Sequence, residues 1–158
     1  MVDANITKMS TSAFIKGVVR RLKEVRFTGK KYLFPRVIRC ADIDLELLKK
    51  IPQWPCACVT NLGGELRSVN GEIWDKLLGV TMVNKFSIDG VLDDAMDWLD
   101  RATEVVQNEL EETRGNDNTT GDPIYCVSEN EDSIVSADGG SYAMKTLVFA
   151  YSIDRVTS

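Results

Sequence analysis

A chain of 158 residues with 44% hydrophobic and 27% charged residues has the composition of an ordinary globular protein and the length for one domain with one core. It contains no histidine, which excludes Ser-His-Asp and Cys-His nucleophile chemistry and the usual imidazole metal ligands. No apolar run approaches the roughly 20 residues that span a bilayer, so no membrane partner is expected.

The formal net charge of −5 conceals a split. Residues 1–39 carry ten Lys/Arg against only Asp3 and Glu24, and the rest of the chain is strongly acidic. Such asymmetry fits either a basic arm for nucleic acid or head-to-tail packing of copies with opposite charges touching. The opening Met1-Val2-Asp3-Ala4-Asn5 lacks the layout of a signal peptide, and synthesis in a reducing cytoplasm is the expectation. Cys40, Cys56, Cys58 and Cys126 lie in apolar or strand-like contexts and read as small hydrophobes. A zinc site would prefer two close pairs, and only Cys56 and Cys58 are close. No metal or other cofactor is expected.

Residues 1–9 read as a loose arm. Ser10-Thr11-Ser12 offers an N-cap for a helix over about 13–24, with Phe14, Val18, Leu22 and Val25 at helical spacing and Ile15 and Val19 widening the stripe. Lys16, Arg20, Arg21 and Lys23 occupy other sides, as a solvated face or a contact for an acidic partner. Residues 26–39 interleave bases with Phe27, Tyr32 and Phe34, a pattern able to grip single-stranded nucleic acid, although no recognition-helix or zinc-finger framework surrounds it. Asp42 or Asp44 caps a short helix over 45–50, which the prolines at 52 and 55 stop.

From Cys56 a short apolar strand is expected, bounded by Asn61-Leu62-Gly63-Gly64. Trp54, Cys56 and Cys58 point one way and Ala57 and Val59 the other, so both faces of this strand need cover. Asn70-Gly71 signals a tight turn, with 72–78 either a strand extension or one helical turn. A strand over 80–88 puts Val80, Met82, Phe86 and Ile88 on one face. A long amphipathic helix over 91–113 buries Leu92, Ala95, Leu99, Ala102, Val106 and Leu110. Its acids Asp93, Asp97, Asp100, Glu104 and Glu111 fall in a narrow arc away from that stripe, a solvated or subunit-facing line rather than a buried catalytic pair.

Residues 115–123 read as a mobile loop. Three strands are expected after it, over 124–128, 133–136 and 142–153, with turns at Glu129-Asn130-Glu131-Asp132 and Asp138-Gly139-Gly140. The last strand puts Leu147, Phe149, Tyr151 and Ile153 on one face. The fold class is α+β: a mixed or antiparallel sheet of about five to six strands, with a long amphipathic helix and an N-terminal helix packed on it. No catalytic motif stands out.

The order of elements resembles that of the tail terminator (tail completion) proteins of long-tailed bacteriophages. The carriers are the strand entry at Ile51-Pro52 through Ala57-Cys58-Val59, the passage from strand to amphipathic helix at Ile88-Asp89-Gly90-Val91-Leu92, and the closing strand from Leu147 to Ile153. The likeness lies in hydrophobic pattern and element order, not in functional side chains. It implies a structural virion protein without catalysis, a homohexameric ring at the head-proximal end of the tail. That ring docks on the tail tube protein, ends tube polymerisation, meets the head completion or connector protein, and passes DNA as non-specific cargo. On that reading Arg20, Arg21, Lys23 and Arg26 of one subunit would face Asp93, Asp97, Asp100 and Glu104 of the next. Asp117, Asp122, Glu129, Glu131 and Asp132 would approach the channel or the tube. The competing expectations are a head-to-tail connector or other tail or baseplate component, and a small nucleic-acid-binding module built on the basic N-terminal third.

Overall fold

The computed structural model describes residues 10–27, 32–67, 73–87, 92–111, 124–135 and 140–154. In chain order the elements are α1 (Thr11–Glu24), β1 (Arg36–Arg39), α2 (Leu45–Lys50), β2 (Cys56–Leu66), β3 (Ile73–Ser87), α3 (Leu92–Glu111), β4 (Tyr125–Val135) and β5 (Gly140–Asp154). The five strands form one mixed sheet in the order β1-β2-β3-β5-β4, with β1 parallel to β2 and every other pair antiparallel. The chain is therefore an α+β protein.

Local chemistry sets the helix starts. Ser10 caps α1 by accepting from the Ala13 amide at 3.0 Å, and Asp44, not Asp42, caps α2 by accepting from the Leu47 amide at 2.8 Å. Phe14, Ile15, Val18 and Leu22 of α1 are buried, and α3 buries Ala95, Leu99, Ala102, Val106 and Leu110. Both stripes pack on the sheet face formed by Ala57 and Val59, Val80 and Met82, and Leu147, Phe149, Tyr151 and Ile153. Burial of side chains this large contributes about 1.5–3 kcal/mol each. The Phe14 and Tyr151 rings stack with centroids 4.0 Å apart, fixing α1 over β5.

Among the described residues the opposite face is covered at one end only. There Cys56, Cys58, Val83, Tyr142 and Met144 pack beneath Leu48 and Ile51 of the α2 region, with Trp54 against Tyr142 at 5.3 Å. The two-sided burial expected of the strand beginning at Cys56 is thus met within the chain: Ala57 and Val59 belong to one core and Cys56 and Cys58 to the other.

The structure corrects two sequence expectations and decides between the alternatives for a third stretch. Asn61-Leu62-Gly63-Gly64 does not end β2, which continues to Leu66 through a bulge between Asn61 and Gly64. Gly63 supplies the positive φ of +85° and accepts no Cβ conformationally, while a Cβ on Gly64 would strike the Asp75 carbonyl and come within 2.8 Å of Lys76 Cα. The glycines permit a bent strand where they read as a stop. Residues 73–78 resolve as strand, since Ile73–Ser87 pairs continuously with β5.

Glu129-Asn130-Glu131-Asp132 is not a turn. It forms the middle of β4, with Glu129 opposite Leu147 and Glu131 opposite Lys145. The physical reason is an edge position, where strand side chains stay in water on one flank and polarity carries no penalty. The Asn70-Gly71 and Asp89-Gly90 turns, the arm at 1–9 and the loop at 115–123 lie outside the described residues.

Candidate functional site

Lys145 is the hub of a charged cluster on the described surface. It sits mid-strand on β5 with its side chain only 8% exposed, and its ammonium lies 2.9 Å from Asp100 of α3. Glu129 and Glu131 of β4 approach the same nitrogen at 3.3 and 3.6 Å. Burial works against the Lys145 charge, but hydrogen bonds to Asp100 and Glu129 outweigh it and raise its pKa. Three carboxylates around one ammonium leave this edge of the sheet negative. The carboxylates themselves are more than half exposed, so the group is a surface patch rather than a reactive pocket.

This cluster brings together residues that sequence reasoning had assigned to different surfaces, with Asp100 at a subunit contact and Glu129 and Glu131 at a channel. Asp132 shares the strand, its backbone opposite Met144. Asp97 and Glu104 lie exposed on α3. Asp93 belongs to the same helix, with its side chain outside the described set, and Asp117 and Asp122 lie outside the described residues. Sequence reasoning missed Lys145 because a single lysine in an apolar strand gives no sign that acids from two other elements will converge on it.

The basic residues divide. Arg20 and Lys23 are exposed on α1. Arg21 reaches Glu109 of α3 at 3.6 Å, so one expected basic-to-acidic contact is made inside the chain. Arg26 stacks over the Tyr32 ring at 4.0 Å. At the far edge of the sheet Arg36 and Arg39 are exposed, and Arg39 donates to Ser12 Oγ at 3.0 Å.

The aromatic side chains of the basic segment are largely spent on packing. Phe27 and Phe34 both meet Trp98 of α3 edge-on, at 6.1 and 5.9 Å, and the Arg101 guanidinium lies over Phe27. An open groove of about 770 Å³ remains between Tyr32, Trp54 and Trp98.

The half of the second sheet face that α2 does not cover holds a shallow depression of about 850 Å³. Leu77, Ala150 and Tyr125 form a row across β3, β5 and β4, and Leu62 lies over Gly79 beside them. Leu62, Leu77 and Tyr125 are 47%, 40% and 51% exposed, unusual for large apolar side chains held side by side on a sheet. One end is fixed by a polar network. Arg67 Nη2 donates to Asp75 Oδ1 and to Ser152 Oγ, both at 2.8 Å, and Ser152 Oγ donates to Asp75 at 2.6 Å. The Arg67 hydrogen bonds hold the Asp75 carboxyl below the usual carboxylate range. Nothing in the alternation of β3 distinguished Leu77 from a buried residue, because exposure depends on α2 stopping short of this end.

All four thiols are free. Cys40 lies beside Cys58 and 3.8 Å from Thr60 Oγ1. A hydrogen bond from Cys58 holds the Cys40 thiol down at about 7, and the same contacts push Cys58 up. Among the described residues no three His, Cys, Asp or Glu are placed to hold a metal ion. No described helix is long and apolar enough to cross a membrane.

Together these features define an α+β protein whose described surface offers open sheet edges and a shallow apolar depression. No family model matches the chain, and no curated protein sequence matches it significantly.

Proposed function

We propose that this chain is a structural assembly protein, a ring-forming subunit that caps the tail tube of a long-tailed bacteriophage, ends tube growth and presents a surface for joining the head. The phage assignment comes from the resemblance in element order. The observation that carries the docking role is the depression at Leu62, Leu77 and Tyr125, an apolar face left open by α2 and held rigid at one end by Arg67, Asp75 and Ser152. Large apolar side chains exposed together on an ordered sheet gain stability when a partner removes them from water, at about 25 cal/mol per Å² of apolar area. Among the described residues the face holds no reactive constellation.

In this reading the tube protein covers the depression, identical copies meet around the ring through oppositely charged flanks, and DNA passes through the centre without sequence recognition. Co-sedimentation with assembled tail tubes tests it. Wild-type protein is expected to pellet with the tubes and limit their length. Leu77→Asp with Tyr125→Ser is expected to stay in the supernatant while keeping its far-UV circular dichroism. Equal pelleting of both proteins removes the depression from the docking surface, and no pelleting of the wild type removes the tail-tube reading.

A further inference from the structure

The sheet ends in two edges of opposite charge. No other described strand pairs with the outer side of β1 or of β4. The β1 edge carries exposed Arg36 and Arg39, and Lys16, Arg20 and Lys23 are exposed on α1, which packs beside it. Among the described residues no carboxylate pairs with any of these five cations. The β4 edge carries Glu129 and Glu131, exposed residues whose shared ammonium, Lys145, is also taken by Asp100. Among the described residues, one edge therefore has positive charge without a carboxylate partner, and the other has more negative charge than Lys145 neutralises.

We infer that the basic β1 edge of one copy pairs with the acidic β4 edge of the next, continuing the sheet from subunit to subunit. This deepens the ring reading and rests on it. An open strand edge presents a row of unpaired amides and carbonyls that another strand completes. Charge then selects the strand. Two β4 edges would bring Glu129 and Glu131 of both copies together, and two β1 edges would bring arginines together, so both symmetric dimers are repelled. Only the unlike pairing is attractive. A contact between two different surfaces is head-to-tail, and such contacts close into rings when the rotation per copy allows.

Near its start, β4 is shielded from such pairing. Its strand shifts register between Cys126 and Ser128, and the Cys126 amide donates to Glu111 Oε1 at 3.3 Å. The stretch open to a neighbour runs from Ser128 onward, which is also where the acids stand.

Two charge variants test the pairing without touching Lys145. Arg36→Glu with Arg39→Glu makes the β1 edge acidic. Ser128→Lys with Asn130→Lys, at exposed positions away from the ammonium, cancels the charge of the β4 edge. Masses are read by light scattering at low salt, with circular dichroism and melting to confirm folding. Arg36→Gln with Arg39→Gln serves as a milder version of the first variant should it fail to fold. The wild type is expected to form a closed oligomer, each variant alone to shift at least tenfold toward monomer, and an equal mixture of the two to form one-to-one pairs through the unaltered β4 edge of the first and the unaltered β1 edge of the second. Variants that assemble alone as well as the wild type overturn the edge pairing and leave the ring standing. So does a mixture that fails to pair. A wild type that stays monomeric both alone and on tail tubes overturns the ring and the edge pairing together.

Discussion

Lys145 of β5 and Asp100 of α3 are joined by a 2.9 Å ion pair that ties the helical layer to the sheet at its acidic edge. The ammonium is nearly buried and the carboxylate is in water, so the pair is unequal: loss of the lysine costs more than loss of the acid. Lys145→Ala leaves Asp100, Glu129 and Glu131 facing one another without a cation. The expected loss is about 1–2 kcal/mol, above a surface pair and below a fully buried one. Urea unfolding of the variant measures it, and Asp100→Asn should cost less than about 1 kcal/mol.

The same lysine gives a pH dependence with a definite sign. Its folded pKa is raised above the unfolded value, so its contribution is fully present below the unfolded pKa of about 10.4 and is lost as pH rises through the folded value. Wild-type stability should fall above about pH 10.4 more steeply than that of Lys145→Met. Parallel curves for the two proteins would mean that the ion pairs contribute nothing to folding.

Tyr151 stacks on Phe14 and buries its hydroxyl with no hydrogen-bond partner among the described residues. Burial pushes that phenol up to about 12. Tyr151→Phe keeps the stacking and removes the unsatisfied oxygen, so a gain of about 1 kcal/mol is expected, raising Tm by roughly 2–4 °C. A lower melting temperature would show that the hydroxyl is bonded in solution.

Cys40 should be the first thiol to react. It is half-buried, while Cys56 and Cys58 are fully buried, and its pKa near 7 rests on the Cys58 hydrogen bond. The rate of iodoacetamide modification should rise with pH to a midpoint near 7 in the wild type. In Cys58→Ala that midpoint should return toward about 8.5. Peptide mapping identifies the modified residue, and an unchanged midpoint would remove Cys58 as the cause.

Gly64 lets β2 pass close to β3 at the bulge. A Cβ there would meet β3 backbone rather than a movable side chain, so Gly64→Ala should cost about 1–3 kcal/mol, read from the urea midpoint. The same substitution should loosen the Leu62 side of the depression and weaken any partner that uses it.

How much of this was legible depended on the kind of signal. Helical spacing located the buried stripes of α1 and α3 because both helices pack one side on a sheet, and the period of two in Leu147, Phe149, Tyr151 and Ile153 gave the core face of β5 for the same reason. Gly63-Gly64 and Glu129-Asn130-Glu131-Asp132 misled because turn-forming residues also suit bulges and edges, and only strand pairing separates those cases. The acidic arc of α3 was readable, but the convergence of Asp100, Glu129 and Glu131 on Lys145 was not. It joins residues 45 apart in sequence, and a long-range meeting of that kind leaves no local pattern. The apolar depression was hidden for another reason. Leu62 and Leu77 look like core residues until the reach of α2 is known.

The central claim is that copies of this chain join edge to edge and head to tail around a tube. Its most direct test is the mass of the purified protein by light scattering, alone and with tail tubes, followed by negative-stain images of the tube ends. The account predicts one closed oligomer, six copies by the resemblance, seated as a single ring at one end of the tube. A symmetric dimer, or a monomer that leaves tubes bare and growing, would contradict it.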